Sequence, residues 1–432
     1  MKTNRLCVIA TTTASLCFLC RPSLFAESLS LEEALIQARK SNGIIASAFK
    51  NYEMARSSVA QANSAFFPTV TPQYRFVDQK QTFAGGFTGT GVLNFHQVSV
   101  SANWLVLDAG QRNFTLSRSR RLADASLNST LWTLRQTLFI VASQFYNVLR
   151  TRELLKVAEA QEQRAKQVLE ITEAQVEIGL VAQKEVLQAK ADLANAVVQV
   201  MTVKNQVTTA EAGLKASIGW NLEKPLPELE PPPEPRVHEE VESLEELIQD
   251  GLSKRPDLMD SRLRADAERF NVMLAERQAS LDWVLRLDYT RNFEPTNTDN
   301  RSLTFIMSFP LFDGGFGREV VRRAKLQQDS SNILLEQHLR DARSEIESAY
   351  LTFLQNGQVL IASQAAVEAA RLNFQAATES QAAGVSSIAE VTNARVALIT
   401  AETNHVDAVY TYYISELYLM LVTGESLPGE KL

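Results

Sequence analysis

The chain has 432 residues, 45% of them hydrophobic, enough for several ordinary domains or one large elongated one. Its formal net charge of −7 gives no electrostatic footprint for nucleic acid, so that partner class is excluded. The only cysteines, Cys7, Cys17 and Cys20, lie at the extreme N-terminus, which excludes a disulfide framework or a thiolate metal site from the rest of the chain.

The N-terminus reads as a secretory signal peptide over residues 1–26. Lys2 and Arg5 form a short basic segment, Leu6 to Leu19 is apolar or small, and Leu24-Phe25-Ala26 offers a cleavage site before Glu27. The apolar stretch is shorter than the roughly 20 residues a membrane-spanning helix needs. No later stretch is longer, so any bilayer crossing falls to strands.

From Ser30 to about Phe66 the pattern is helical. Leu31, Ala34, Leu35 and Ala38 recur at helical spacing, Ser30 with Glu33 fits a capping box, and Asn42-Gly43 marks a break or kink. At Pro68 the period changes to two. Val70, Pro72, Tyr74 and Phe76 alternate with Thr71, Gln73 and Arg75; after a glycine-rich loop over 83–91, Val98, Val100, Ala102, Trp104 and Val106 alternate with polar residues. Such a hairpin suits a half-buried soluble sheet or a water-filled membrane barrel. Phe76, Phe95 and Trp104 near the strand ends favour interfacial girdles and hence the barrel.

From about Arg112 to Val176 there is neither proline nor glycine, which predicts a helical rod of roughly 100 Å. Leu127, Leu131, Leu134, Leu138, Val141, Phe145 and Val148 fall at alternating steps of four and three, a coiled-coil seam. The rod ends at Ile178-Gly-Leu-Val-Ala182, and a return helix runs from about Gln183 to Ile218 with Gly219 as its stop. Residues 223–242, rich in Pro and Glu, form a linker, as surface polyproline or as a loose tether.

The chain then repeats itself. Ser243-Leu-Glu-Glu246 echoes Ser30-Leu-Glu-Glu33 at an offset of 213. Trp283, Leu285, Leu287 and Tyr289, then Leu303, Phe305, Met307, Phe309 and Leu311, renew the strand alternation. Asp313 matches Asp108, Gly315 matches Gly110, and Gly384 matches Gly179, all at an offset of 205. The change of offset places the length difference in the strand hairpin, whose tip is therefore an exposed loop. The expected organisation is a first repeat over 27–222, the linker over 223–242, a second repeat over 243–424 and a short tail over 425–432, giving an internal two-fold repeat.

Nothing in the chain speaks for chemistry. His96, His238, His338 and His405 sit in no metal or nucleophile motif, so no catalytic residue, metal or cofactor is expected. The Asp108-Ala-Gly110 and Asp313-Gly-Gly315 segments lack the ligand ladder of a calcium loop and read as strand-to-helix turns. Glu185 and Glu390 each follow a tip glycine by six residues. Around an axis they would form a carboxylate ring, which selects cations; a solvated surface charge is the plainer reading.

The order of helix, strand hairpin and long helical hairpin, given twice, resembles the TolC-like outer-membrane efflux protein family. The Leu-Asp-Ala-Gly and Phe-Asp-Gly-Gly turns, the Ile178-Gly-Leu-Val-Ala182 tip and Gly384 carry the likeness. The resemblance implies an α+β membrane protein, a homotrimer in which each subunit gives four strands to one shared β-barrel and its coiled-coil hairpins to an α-barrel. It further implies a location in the outer membrane, in contact with its lipid, with a helical tunnel in the periplasm. Cargo would pass passively, for drug efflux or type I secretion, through docking to an adaptor (membrane fusion) protein and an inner-membrane pump of RND or ABC type. The tips that would meet the adaptor are Gly179, Leu180, Val181 and Ala182 in one repeat and Gly384, Val385 and Ser386 in the other. Glu185 and Glu390 match tip carboxylates of the periplasmic gate; Ser386 and Asn393 depart from the arginine and second carboxylate of some members. The alternative is a periplasmic coiled-coil adaptor or scaffold without a channel.

Overall fold

The computed structural model describes residues 28–82, 90–235, 243–278, 280–293 and 297–430. The signal segment, most of the glycine-rich loop 83–91, the second half of the linker with His238, and the side chain of Phe95 lie outside the described residues.

Among the described residues the chain passes twice through the same series of elements. The first copy comprises α1 (Leu31–Ser41), α2 (Gly43–Ser64), β1 (Thr69–Thr82), β2 (Thr90–Leu107), α3 (Gln111–Glu177) and α4 (Gln183–Ile218). The second comprises α5 (Leu244–Lys254), α6 (Pro256–Arg277), β3 (Asp282–Asn292), β4 (Thr298–Ser308), α7 (Phe316–Ala382) and α8 (Ile388–Thr423). Corresponding helices have identical lengths of 11, 22, 67 and 36 residues. The strands differ: 14 and 18 residues in the first copy, 11 in each strand of the second.

Local chemistry sets these boundaries. Ser30 and Glu33 form a complete capping box on α1, and Asn42 ends α1 while capping α2 through Ile44 and Ile45. Pro256 opens α6 at a position that has no use for an N–H. The alternation expected to run to Leu311 stops at Ser308, and Phe309 and Leu311 lie outside β4. Pro310 has no N–H to give a ladder, so the apolar–polar pattern outlasts the strand.

The strands form one antiparallel sheet in the order β1-β2-β3-β4. Its register separates the two faces. Val70, Pro72 and Tyr74 oppose Ala102, Val100 and Val98; Ala102 and Trp104 oppose Leu287 and Leu285; Leu285 and Leu287 oppose Phe305 and Leu303. The other face pairs Thr71 with Ser101, Gln73 with Ser99, Asn103 with Arg286, and Arg286 with Thr304. One face is thus apolar across all four strands, and Val70, Tyr74, Leu303 and Phe305 on it are exposed.

Below the sheet the helices form a layer in the order α4-α3-α8-α7, with α3 against α8 joining the two hairpins. Leu134, Leu138, Val141, Phe145 and Val148 of the seam are buried in the principal core, while Leu127 and Leu131 are half-buried. Tyr146 stacks on Tyr413 at 5.4 Å across the α3–α8 contact, and Tyr412 on Phe353 at 5.2 Å. Burial pushes the Tyr146 and Tyr410 hydroxyls up to about 12, so both stay neutral in this seam.

The shorter helices meet the ends of the return helices at a joint that is repeated. Asn42 Nδ2 donates to the Ser217 carbonyl at 2.8 Å, and the equivalent Arg255 Nη1 donates to the equivalent Val422 carbonyl at 3.5 Å. The described half of the linker packs against the chain rather than hanging free. Leu29 donates to the Glu228 carbonyl at 2.7 Å, Leu229 is buried, and the Tyr413 hydroxyl donates to the Pro233 carbonyl.

Candidate functional site

The ends of the two helical hairpins, farthest from the sheet, lie side by side. Each long helix ends in a glycine with φ of 75°, a left-handed conformation that a side chain would strain. Gly179 donates to the Val176 carbonyl at 2.9 Å and Leu180 to the Gln175 carbonyl at 2.8 Å. Gly384 repeats the first bond to Gln381 at 2.9 Å, and Val385 the second to Ser380 at 3.0 Å. These are paired Schellman turns, which satisfy the last carbonyls of α3 and α7. They leave apolar side chains outside: Leu180 is 55% exposed and Val385 84%.

Gln175 Nε2 donates across to the Gln381 carbonyl at 3.0 Å, in a buried contact that fastens one tip to the other. Beside it lies a cleft of about 230 Å³, lined among others by Val181, Ala182, Glu185, Gly384, Ser386 and Ser387. Val168, Ala189, Ala377, Ile388, Val391 and Ala394 form the small apolar core above it.

The expected gate carboxylates occupy the first turns of α4 and α8 in unlike settings. Glu185 is half-buried at the cleft, 3.7 Å from Lys184. Glu390 is exposed, takes a 2.6 Å hydrogen bond from the Ser386 hydroxyl, and donates its backbone N–H to the Ser387 cap. Ala182 at the start of α4 offers no side-chain cap. Asn393 is exposed.

Sequence reasoning missed a polar pair two turns above the tips. Arg395, 4% exposed, donates to Asp192 at 2.7 Å, and the Thr392 hydroxyl donates to the same carboxylate at 3.3 Å. This ties α4 to α8 across the hairpins. One signal was present: Arg395 interrupts the buried stripe of Val391, Ala394 and Leu398. Higher still, Arg164 grips Glu402 with two bonds of 2.8 and 2.7 Å. Planar, two-pronged pairs of this kind fix relative helix position better than a lysine contact would.

The strand-to-helix turns stand at the other end of the rods. Asp108 accepts from the Gly110 and Arg112 backbones at 3.2 and 2.8 Å and from Arg112 Nε at 2.9 Å. Asp313 accepts from Gly315 at 2.9 Å and Gly317 at 2.7 Å, and these backbone donors hold its carboxyl below the usual range. Both aspartates act as caps for the rods, and no cluster of potential metal ligands occurs among the described residues.

A family model described as outer membrane efflux protein matches residues 34–220 and 247–425. The chain is 22% identical to the outer membrane protein TolC of Salmonella enteritidis, covering 93% of this chain and 83% of that one. It is 24% identical to TolC of Vibrio cholerae, over 93% of this chain and 92% of that one. Its fold matches the solved outer-membrane channel OprN with a TM-score of 0.80 at 20% identity, over 92% of this chain and 90% of OprN.

Proposed function

The chain belongs to the outer membrane efflux protein family, and from that premise we propose that its paired helical tips are both the gate and the docking end of a channel. The protein is an outer-membrane efflux channel with its helical tunnel in the periplasm. Like its family it works as a trimer with adaptor and inner-membrane pump partners.

The observation that carries the reading is the pattern of what the single subunit leaves unpartnered. Among the described residues the outer edges of β1 and β4 have no neighbour strand. Exposed strand edges invite pairing with another chain. The flanking helices repeat the pattern: α4 exposes Leu187, Val198 and Met201, and α7 exposes Ile333, Leu334 and Leu351. The first copy supplies β1 and α4, and the second supplies β4 and α7. Head-to-tail contact of one subunit's second copy with the next subunit's first copy satisfies both layers at once, and a closed ring follows if the rotation closes. The apolar sheet face then meets lipid and the polar face lines water. A scaffold without a channel would leave both sheet edges open.

At the tips, Leu180 and Val385 present apolar surface for an adaptor, with Gly179, Val181, Ala182, Gly384 and Ser386 shaping the turns. The pump behind the adaptor is of RND or ABC type, and its cargo is small molecules or, in type I secretion, protein. Glu185 and Glu390 from three subunits form a carboxylate ring at the narrow end, which draws cations and binds multivalent ones.

In planar bilayers the purified trimer should conduct ions with a cation-selective reversal potential. E185A/E390A should lose selectivity and sensitivity to multivalent blockers; an unchanged reversal potential and block would reduce the two glutamates to solvated surface charges. Separately, Leu180→Asp or Val385→Asp should abolish export while leaving trimers intact. Wild-type export by both variants would remove the docking assignment.

A further inference from the structure

The apolar face of the sheet is not smooth. A groove of about 430 Å³ runs along it, lined by Val100 and Ala102 of β2, Leu287 and Tyr289 of β3, and Leu303 and Arg301 of β4. Ala102 makes the depression: it is the one small side chain in the row Val98, Val100, Ala102 and Trp104, and it opposes Leu287. Its outward side walls are aliphatic and one end is closed by a cation; Asp288 and Ser302, which also border it, alternate to the opposite face, where Asp288 pairs with Arg286 at 2.9 Å.

That cation is placed unlike its neighbours. Arg291, on the same face, is 3.7 Å from Asp299, and the Tyr289 hydroxyl donates to Asp299 at 3.2 Å. Arg301 pairs with no carboxylate among the described residues. Its guanidinium lies over the Tyr289 ring at 5.7 Å, which orients it by cation–π attraction. Arg301 is nearer the outer start of β4 at Thr298 than its helix-side end at Ser308. A lipid-facing arginine is costly at mid-membrane but is tolerated near an interface. An arginine without a carboxylate partner among the described residues, at the outer end of an apolar groove, therefore suits a headgroup at the interface.

We propose that this groove binds a phosphate-bearing lipid of the outer leaflet, with an acyl chain over Ala102 between Val100, Leu287 and Leu303, and a phosphate on Arg301. The guanidinium presents paired donors that match a phosphate's oxygens. The groove lies within one subunit's sheet, so closing the ring leaves it open to lipid. The inference rests on the apolar face meeting lipid, and the test separates the two claims.

The probe is a hexa-acylated, bis-phosphorylated glucosamine disaccharide lipid, titrated into the purified detergent-solubilised trimer and read by native mass spectrometry. Wild type should retain up to one lipid per subunit. R301Q and A102W should each weaken retention by about tenfold or more, while R286Q, on the polar face, should leave it unchanged. The dephosphorylated lipid should bind the wild type as weakly as the intact lipid binds R301Q. Equal binding of the dephosphorylated lipid, or undiminished binding by both R301Q and A102W, overturns the proposal. Heat-resistant trimers on gels check assembly; if R301Q fails to assemble, A102W and the dephosphorylated lipid still decide. Quenching of Trp104 and Trp283 by brominated lipid reports the lipid face independently. Quenching with no effect of the variants sinks the groove alone, and no quenching sinks both claims.

Discussion

The two copies have the same helices and different surroundings. In the first copy the strand-to-helix turn is enclosed. Asp108 is 5% exposed, and Arg112 spans from it to the Ala65 and Val106 carbonyls while lying over the Phe66 ring at 5.0 Å. Gln111 reaches Asp282 at the start of β3. In the second copy Gly317 stands where Arg112 would, and Asp313 is exposed. The rods differ the same way: α3 lies between α4 and α8, whereas α7 edges the layer. A duplicated unit thus carries two chemistries, one for neighbours in its own chain and, on the proposed ring, one for the next subunit. The joint reverses the emphasis. Asn42 makes a neutral contact, but Arg255 is buried against Asp257, Glu345 and the Trp132 ring.

Where the copies agree, equivalent substitutions should cost the same. Arginine at Val100 or at its counterpart Phe305 places charge on the apolar face, at a cost of roughly 2–4 kcal/mol near mid-membrane. At Ser99 or Thr304, on the polar face, it should be mild. Trimer yield and heat resistance of the four variants measure this, and equal yields across both faces would break the barrel reading. Where the copies differ, costs should diverge. Removing Arg255 strips the cation from two carboxylates, an effect that reaches about 3–5 kcal/mol for wholly buried pairs. Asp257 and Glu345 keep some solvent, so about 2 kcal/mol is expected for R255A. N42A removes a neutral cap at about 1 kcal/mol. Denaturation midpoints in the same order for both residues would support the asymmetry, and a larger loss for N42A would refute it.

The turns give the next smaller difference. D108A loses a cap and an ion pair, for about 1–2 kcal/mol. D313A loses only exposed backbone contacts, so it should shift the melting temperature less, and a larger shift than D108A would show that the second turn is buried in the assembled ring.

Much of this was legible because the repeat writes each signal twice. The rod expected over 112–176 spans Gln111–Glu177, since sixty-odd residues without proline or glycine leave a helix nothing to stop it. The tip glycines were legible because left-handed turns select glycine. The contacts between hairpins were not. Asp192 and Arg395 lie 203 residues apart, and no local period reveals that α3 packs on α8. The strand end at Ser308 was missed for the opposite reason: alternation describes side chains, while Pro310 acts on the backbone. The contrast between Glu185 and Glu390 was also hidden, because equal spacing from a glycine fixes depth along a helix and not what stands opposite.

The smallest expected effect concerns a titrating group that only the second copy has. His405 is half-buried between α7 and α8, with its Nδ1 3.0 Å from the Ser363 hydroxyl; the equivalent residue in the first copy is Val200. Burial lowers the His405 pKa below its ordinary 6.5. The unfolded chain therefore takes up a proton before the folded one as pH falls, and stability rises with pH wherever that is so. The contribution of the neutral ring is present above about 6.5 and is lost as pH drops from there toward the folded value. The carboxylates flanking it on α8 already have cations: Asp407 lies 3.4 Å from Arg150, and Glu402 is held by Arg164 at 2.7 Å. Trimer melting compared at about pH 7.5 and about pH 5.5 should fall slightly more for wild type than for H405V, which installs the first copy's residue. The same drop in both would mean that the pH sensitivity comes from carboxylates shared by the two copies, and that this histidine contributes packing alone.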